Sequence, residues 1–179
     1  MMRLSNVRFL LAWGLALCMS SAMAAVPPPP KLPADAYFLV DASTGKVLVD
    51  HKGDLSLPPA SLTKIMTGYV LADEVDSGRA SLDDIISVSR TAWSQNPTFK
   101  GSSLMWIEPG KPVSLSDLER GVVISSGNDA SVAVAEHLAG TEASFVDVMN
   151  QLAGELGLDN TAYRNPHGLP HPGHRPTAR

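Results

Sequence analysis

The strand-like segments of this chain are confined to its start, and that asymmetry limits the folds open to it. Ala36 to Asp41 and Lys46 to His51 are short, β-rich runs on either side of Ala42-Ser43-Thr44-Gly45. This spacing predicts an antiparallel hairpin, with Gly45 supplying the permissive backbone of the turn. Beyond it the pattern turns helical, apart from a short strand expected over Asp83 to Val88, and no second block of strands follows. A two-stranded hairpin is marginal alone, and its core-facing edge would lie open.

The helical part divides at its breaks. Pro58-Pro59-Ala60 leads into a segment from Ser61 to about Asp76 whose Leu62, Ile65, Met66, Tyr69 and Val70 share one helical stripe, which predicts a largely buried helix. Trp93 to Leu104 reads as an irregular loop. Ser116 and Glu119 match a capping box for a helix to about Ile124, and Ser125-Ser126-Gly127-Asn128 breaks it. A further helix runs from about Asp129 to Ala139 and is stopped by Gly140. Thr141 caps the next, which reaches Leu156 with Phe145, Val148, Met149, Leu152 and Leu156 as its core stripe.

With 179 residues and 44% apolar side chains, the chain is long and apolar enough for about one packed domain, which excludes disorder by composition. A net charge of −4 and only 18% charged residues leave no positive field for nucleic acid. Arg3 and Arg8 precede an apolar run from Phe9 to Cys18, and Ser20 to Ala24 end in an A-x-A pattern, which predicts a secretory signal peptide over residues 1–24. The run is about half the length that a spanning helix needs. Cleavage would remove Cys18, the single cysteine, so the exported chain could form no disulfide. It would also leave 12 basic against 18 acidic side chains, a net of −6. Pro27 to Pro30 and Pro33 make residues 25–35 a stiff linker to the folded body.

Ser61 and Lys64 stand at i and i+3 at a helix start, so their side chains emerge one turn apart on one face. A serine hydroxyl becomes a competent nucleophile when a base takes its proton. A lysine can be that base only if burial, nearby cations or the positive end of a helix depresses its pKa. Gly68 falls in the same angular sector and leaves Lys64 uncrowded from the next turn. Ser126-Gly127-Asn128, in a break between helices, could present a hydroxyl and an amide to a cleft. Each pattern taken singly is also an ordinary cap or turn; together they form a catalytic signature.

The match extends to Pro59 through Thr67, Phe99 through Met105, Ser126 through Ala130, and Asn165-Pro166-His167-Gly168-Leu169. In this order they closely resemble the low-molecular-mass penicillin-binding proteins, the serine-type D-alanyl-D-alanine carboxypeptidases. The resemblance implies an α+β fold of DD-peptidase and β-lactamase type, an antiparallel sheet flanked by helices, of which the N-terminal hairpin and helical part are present in residues 36–179. It implies that Ser61 forms an acyl-enzyme, Lys64 is its general base, Ser126 passes the proton toward the departing D-alanine, and Asn128 binds the substrate backbone. The substrates would be peptidoglycan stem peptides ending in D-Ala-D-Ala, with β-lactams acylating the same serine. The setting would be cell-wall synthesis and cell-shape control, in the periplasm or on the outer face of the cytoplasmic membrane. No cofactor is implied.

The family's third element, K-T-G, does not occur in these 179 residues. In relatives its lysine binds the substrate carboxylate and its strand completes an oxyanion hole, whose other donor here would be the Ser61 N–H. Losing one such donor costs about 10²–10³ in rate. The expectation is therefore a chain truncated before that motif, without the family's C-terminal β domain or amphipathic membrane anchor, and with little or no hydrolysis by these residues alone. The alternative is a catalytically incomplete fragment or a non-catalytic peptidoglycan- or penicillin-binding module. A DD-endopeptidase or a β-lactamase ranks lower; class A β-lactamases carry S-D-N where this chain has Gly127. His167, His171 and His174 have metal-like spacing, but they lie in a Pro/Gly segment and His167 belongs to the family-like run, so no metal site is assigned. Met105, Trp106 and Ile107 read as a strand or core contact rather than an exposed patch.

Overall fold

The computed structural model describes residues 27–179. The predicted signal peptide, residues 1–24, and the first two linker positions lie outside the described residues. The contacts divide the chain at Ala34/Asp35, and the described part of the first unit, 27–34, is exposed and has no regular structure.

The second unit opens with β1, Tyr37–Val40, paired antiparallel to β2, Val47–His51. Asp41 builds the turn: its Oδ1 accepts the Ser43 and Thr44 N–H groups, each at 2.9 Å, while Gly45 takes a left-handed φ of +69°. Those N–H groups hold the Asp41 carboxyl below its ordinary range, the Thr44 backbone first. Tyr37 and His51, cross-strand partners, stack at 4.9 Å. Leu39, Val40, Val47 and Leu48 are exposed on this hairpin.

A 3-10 turn, Ala60–Leu62, runs into helix α1, Thr63–Asp76. The predicted stripe is only partly right. Met66 and Val70 are buried, but Leu62, Ile65 and Tyr69 are 70%, 72% and 50% exposed. The buried face is instead Thr63, Lys64, Met66, Thr67, Val70 and Leu71. Three of these are polar, and each finds partners inside, so hydrogen bonding rather than hydropathy fixes the rotation of the helix.

The expected strand at Asp83 to Val88 is β3, Ile85–Ser87, and it pairs with an unforeseen β4, Pro112–Ser114, to make a second two-stranded sheet. Helix α2, Leu115–Val123, is capped by Ser114, whose Oγ accepts the Asp117 N–H at 3.1 Å. The cap therefore falls two residues before the predicted Ser116, whose N–H is committed to the Leu82 carbonyl.

Helix α3, Asn128–Ala139, is the pivot of the packing. All its residues from Asn128 to Ala135 are buried, which is why it carries no amphipathic stripe. Its Val132 and Val134 join Leu71, Phe99, Leu115 and Leu118 in one core, while Ala135 joins Met66, Phe145 and Met149 in another. Helix α4, Glu142–Glu155, is capped by Thr141 as predicted. Phe145 and Met149 are buried as expected, but Val148 and Leu156 are exposed and Val146 and Ala153 face the core instead. The irregular stretch after Trp93 contains one 3-10 turn, Pro97–Phe99, that buries Phe99.

Candidate active site

The 3-10 turn places Ser61 one turn before Lys64 at the entrance to α1, as the i and i+3 spacing predicts. Ala60 enters the turn with φ +48°, an uncommon conformation for a residue with a side chain. Its carbonyl is backed by Gly168, which stands at φ +90°, where a Cβ would run into that carbonyl. Thr63 and Thr67 anchor the helix from below, through His174 Nε2 at 3.1 Å and the Pro166 carbonyl at 2.6 Å. The N-P-H-G-L run is thus the floor on which the nucleophile's turn rests.

The Lys64 amine reaches Ser61 Oγ at 3.4 Å, Asn128 Oδ1 at 2.6 Å and the His167 carbonyl at 2.8 Å. It is only 7% exposed. Burial pushes its pKa down from 10.5 to about 8, against a smaller opposing pull from Asp129. Desolvation, not the helix terminus, is therefore the main cause of the depression.

Ser126 completes the triangle. It sits at φ +52° in the break after α2, and its hydroxyl donates to Ser61 Oγ at 3.0 Å. The break is held from both sides: the Gly127 N–H donates to the Gly121 carbonyl and the Asn128 N–H to the Ser103 carbonyl, each at 2.9 Å. Gly127 lies so close to the Met105 backbone and the Asp129 carboxylate that a Cβ there would be about 3 Å from both. A middle-position aspartate, as in S-D-N, would not fit this arrangement without movement. Ser61 is exposed and Ser126 half-buried while Lys64 and Asn128 are buried, so two solvent-reachable hydroxyls lie over a desolvated amine. Such a constellation can deprotonate one hydroxyl and return the proton through the other.

All four residues expected at the site, Ser61, Lys64, Ser126 and Asn128, converge. Three contributors escape residue-type reasoning. The His167 group that binds Lys64 is a backbone carbonyl, which leaves no signature in residue identity. Gly168 acts by lacking a side chain. Asp129, fully buried, accepts backbone N–H groups from Met105, Trp106 and Ile107 at 2.8, 2.9 and 3.2 Å. That grip separates the three residues that the sequence grouped: Ile107 is buried, whereas Trp106 is 74% exposed at φ +67°. The three imidazoles go separate ways, His167 toward Glu142 at 3.5 Å, His174 to Thr63, and His171 to the Gly173 N–H.

The profile of the D-alanyl-D-alanine carboxypeptidases matches residues 22–179. The chain is 46% identical over 151 residues to the D-alanyl-D-alanine carboxypeptidase DacC of Escherichia coli strain K12, an alignment covering 84% of this chain and 38% of that protein. It is 44% identical over 183 residues to DacD of Salmonella typhimurium strain LT2, covering 99% of this chain and 47% of that one. Among solved structures it is similar to penicillin-binding protein 6B from Escherichia coli, with a TM-score of 0.80 and 44% identity over 89% of this chain and 50% of the other. Penicillin-binding protein 5 from Haemophilus influenzae gives 0.82 and 39% over 86% and 44%. The chain thus spans less than half the length of these two curated relatives. Matched from residue 22 to its end, and folded as those solved structures are over the shared region, the chain belongs to the D-alanyl-D-alanine carboxypeptidase family.

Proposed function

We propose that the protein carrying these residues is a serine-type D-Ala-D-Ala carboxypeptidase. The observation that carries the reading is the buried Lys64 amine, depressed to about 8, within 3.4 Å of a Ser61 hydroxyl that Ser126 also reaches. Ser61 Oγ attacks the carbonyl between the two D-alanines as its proton passes to Lys64 Nζ. The tetrahedral adduct collapses with loss of the terminal D-alanine, whose nitrogen takes that proton through the Ser126 hydroxyl. An ester on Ser61 remains. Water, deprotonated by the same route, attacks the ester and releases the shortened peptide with Ser61 reprotonated. Asn128 orients Lys64 through its Oδ1, leaving its amide nitrogen to donate to a substrate peptide group. A β-lactam would open its ring on Ser61 in the same first step and stay attached.

The substrates under this reading are peptidoglycan stem peptides, and the reaction belongs to cell-wall synthesis and the control of cell shape. Export through a signal peptide over residues 1–24, a linker over 25–35 and an outer-face or periplasmic location are part of the proposal; Arg3, Arg8 and the apolar run after them support it. K-T-G is not among the 179 residues, so the reading assigns the acylating group and leaves the carboxylate clamp unassigned.

The test is D-alanine release from a pentapeptide ending in D-Ala-D-Ala by the protein that carries this sequence. Release that is lost in Ser61→Ala supports the reading; release undiminished in that variant overturns it. Labelling by penicillin without any release would leave the non-catalytic penicillin-binding module.

A further inference from the structure

Asp129 is absent from the proton route above, yet it is fully buried and each of its carboxylate oxygens accepts two backbone N–H groups. Oδ1 takes those of Met105 and Ala130, at 2.8 and 2.9 Å. Oδ2 takes those of Trp106 and Ile107, at 2.9 and 3.2 Å. Three of the four come from consecutive residues of another segment, and the middle one, Trp106, stands in the left-handed region at φ +67°. A non-glycine residue held there costs about 1–3 kcal/mol and persists only where its surroundings over-determine it. The Asp129 carboxylate, bonded to the Met105, Trp106 and Ile107 N–H groups, is part of what holds it. The same residue follows Asn128, whose Oδ1 holds the Lys64 amine, and its neighbour Gly127 packs within about 3 Å of the Met105 nitrogen.

We propose that Asp129 is a positioning residue for the acylation step: its carboxylate locks the 105–107 segment against the Ser126-Gly127-Asn128 break, directly after the Asn128 whose side chain holds the Lys64 amine. The inference rests on the reading of Ser61 and Lys64 as the acylating pair. The charged and titratable groups around Lys64 are few. Asp129 comes from α3, Glu119 lines a small cleft with Lys64 from the facing α2, and the His167 ring is turned away toward Glu142. Asp129 opposes the larger effect of burial on the lysine, favouring the charged form of the amine.

The test is the second-order rate of Ser61 labelling by a fluorescent penicillin as a function of pH, in the protein that carries this sequence, with a thermal melt beside it. Labelling requires neutral Lys64, so the native acid limb lies near pH 8. D129N removes the charge and, whichever way the amide turns, sets its NH2 against two backbone donors. The expected result is a limb moved to lower pH together with a lower plateau. D129E keeps the charge but misplaces the oxygens, so the limb should stay while the plateau falls. A purely structural Asp129 would lower the plateau or the melting temperature with the limb unmoved in D129N, and that result overturns the inference. Should D129N fail to fold, a displaced limb in D129E overturns it instead. If the native protein is not labelled at Ser61 at all, it is the acylating-pair reading that fails.

Discussion

Asn128 Oδ1 lies 2.6 Å from Lys64 Nζ across 64 residues of sequence, and this bond ties the helix that carries the nucleophile to the helix that begins just after Ser126. It is the shortest of the three contacts of the lysine amine. Through it the two motifs, separate in sequence, become one device: a lysine whose ammonium form finds an acceptor for each of its three protons, one of them the Ser61 hydroxyl that its neutral form is to activate.

Changing that bond should change acylation in two distinguishable ways. Asn128→Ala removes one acceptor from a buried cation, a loss of about 1.5–3 kcal/mol that corresponds to a roughly 10- to 100-fold slower labelling of Ser61 by penicillin. Asn128→Asp keeps the shape but adds a negative charge, which raises the Lys64 pKa and moves the acid limb of the labelling profile above its native position near pH 8. Rate against pH for the two variants checks both.

Two buried groups should write themselves into the pH dependence of stability. His174 is held near 4 rather than 6.5, chiefly by burial, with His167, His171 and Arg164 adding to the effect. The unfolded chain therefore binds the proton first as pH falls, and stability is lost between about 6.5 and about 4, on the order of 3 kcal/mol in full. Lys64 gives the alkaline counterpart: its folded value of about 8 lies below 10.5, so stability rises with pH between those values. Denaturant melts from pH 4 to 10.5 should show both slopes. His174→Asn should remove the acid one and Lys64→Met the alkaline one.

Two glycines predict opposite outcomes for the same substitution. Gly168 stands at φ +90° against the Ala60 carbonyl, so Gly168→Ala should cost more than about 1–3 kcal/mol and slow Ser61 labelling by displacing the nucleophile's turn. Gly68 lies inside α1, and a Cβ there meets nothing within 4 Å. Gly68→Ala should therefore raise stability by about 0.5–1 kcal/mol. Paired melts and labelling rates check the contrast.

Much of this was legible in the residues and some was not, for physical reasons. The hairpin, the cap at Thr141 and the stop at Gly140 depend on local backbone chemistry that residue types advertise. The pairing of Ser61 with Lys64 followed from their i and i+3 spacing, whereas their convergence with Ser126 and Asn128 was implied by the family resemblance, which works through side chains. The rotation of α1 was misread because its interior face is built on Thr63, Lys64 and Thr67, which hydropathy places outside. On α4, Val148 gave way to Val146 because the core stripe is rotated by a fraction of a turn, a shift that periodicity does not resolve. β4 is three residues long and exists through its pairing with β3, so nothing local announces it. The His167 carbonyl is invisible to any reading by side chain, and Asp129 was visible only as part of a family-like block with no role attached.

The central claim is that Ser61, activated by Lys64, is the residue that becomes acylated. The most direct measurement is mass spectrometry of proteolytic fragments after the protein carrying this sequence has been incubated with penicillin. The account predicts one adduct of the intact drug mass on the peptide containing Ser61, lost in Ser61→Ala and formed far more slowly in Lys64→Met. An adduct on another residue, one that survives Ser61→Ala, or none in the native protein would contradict it.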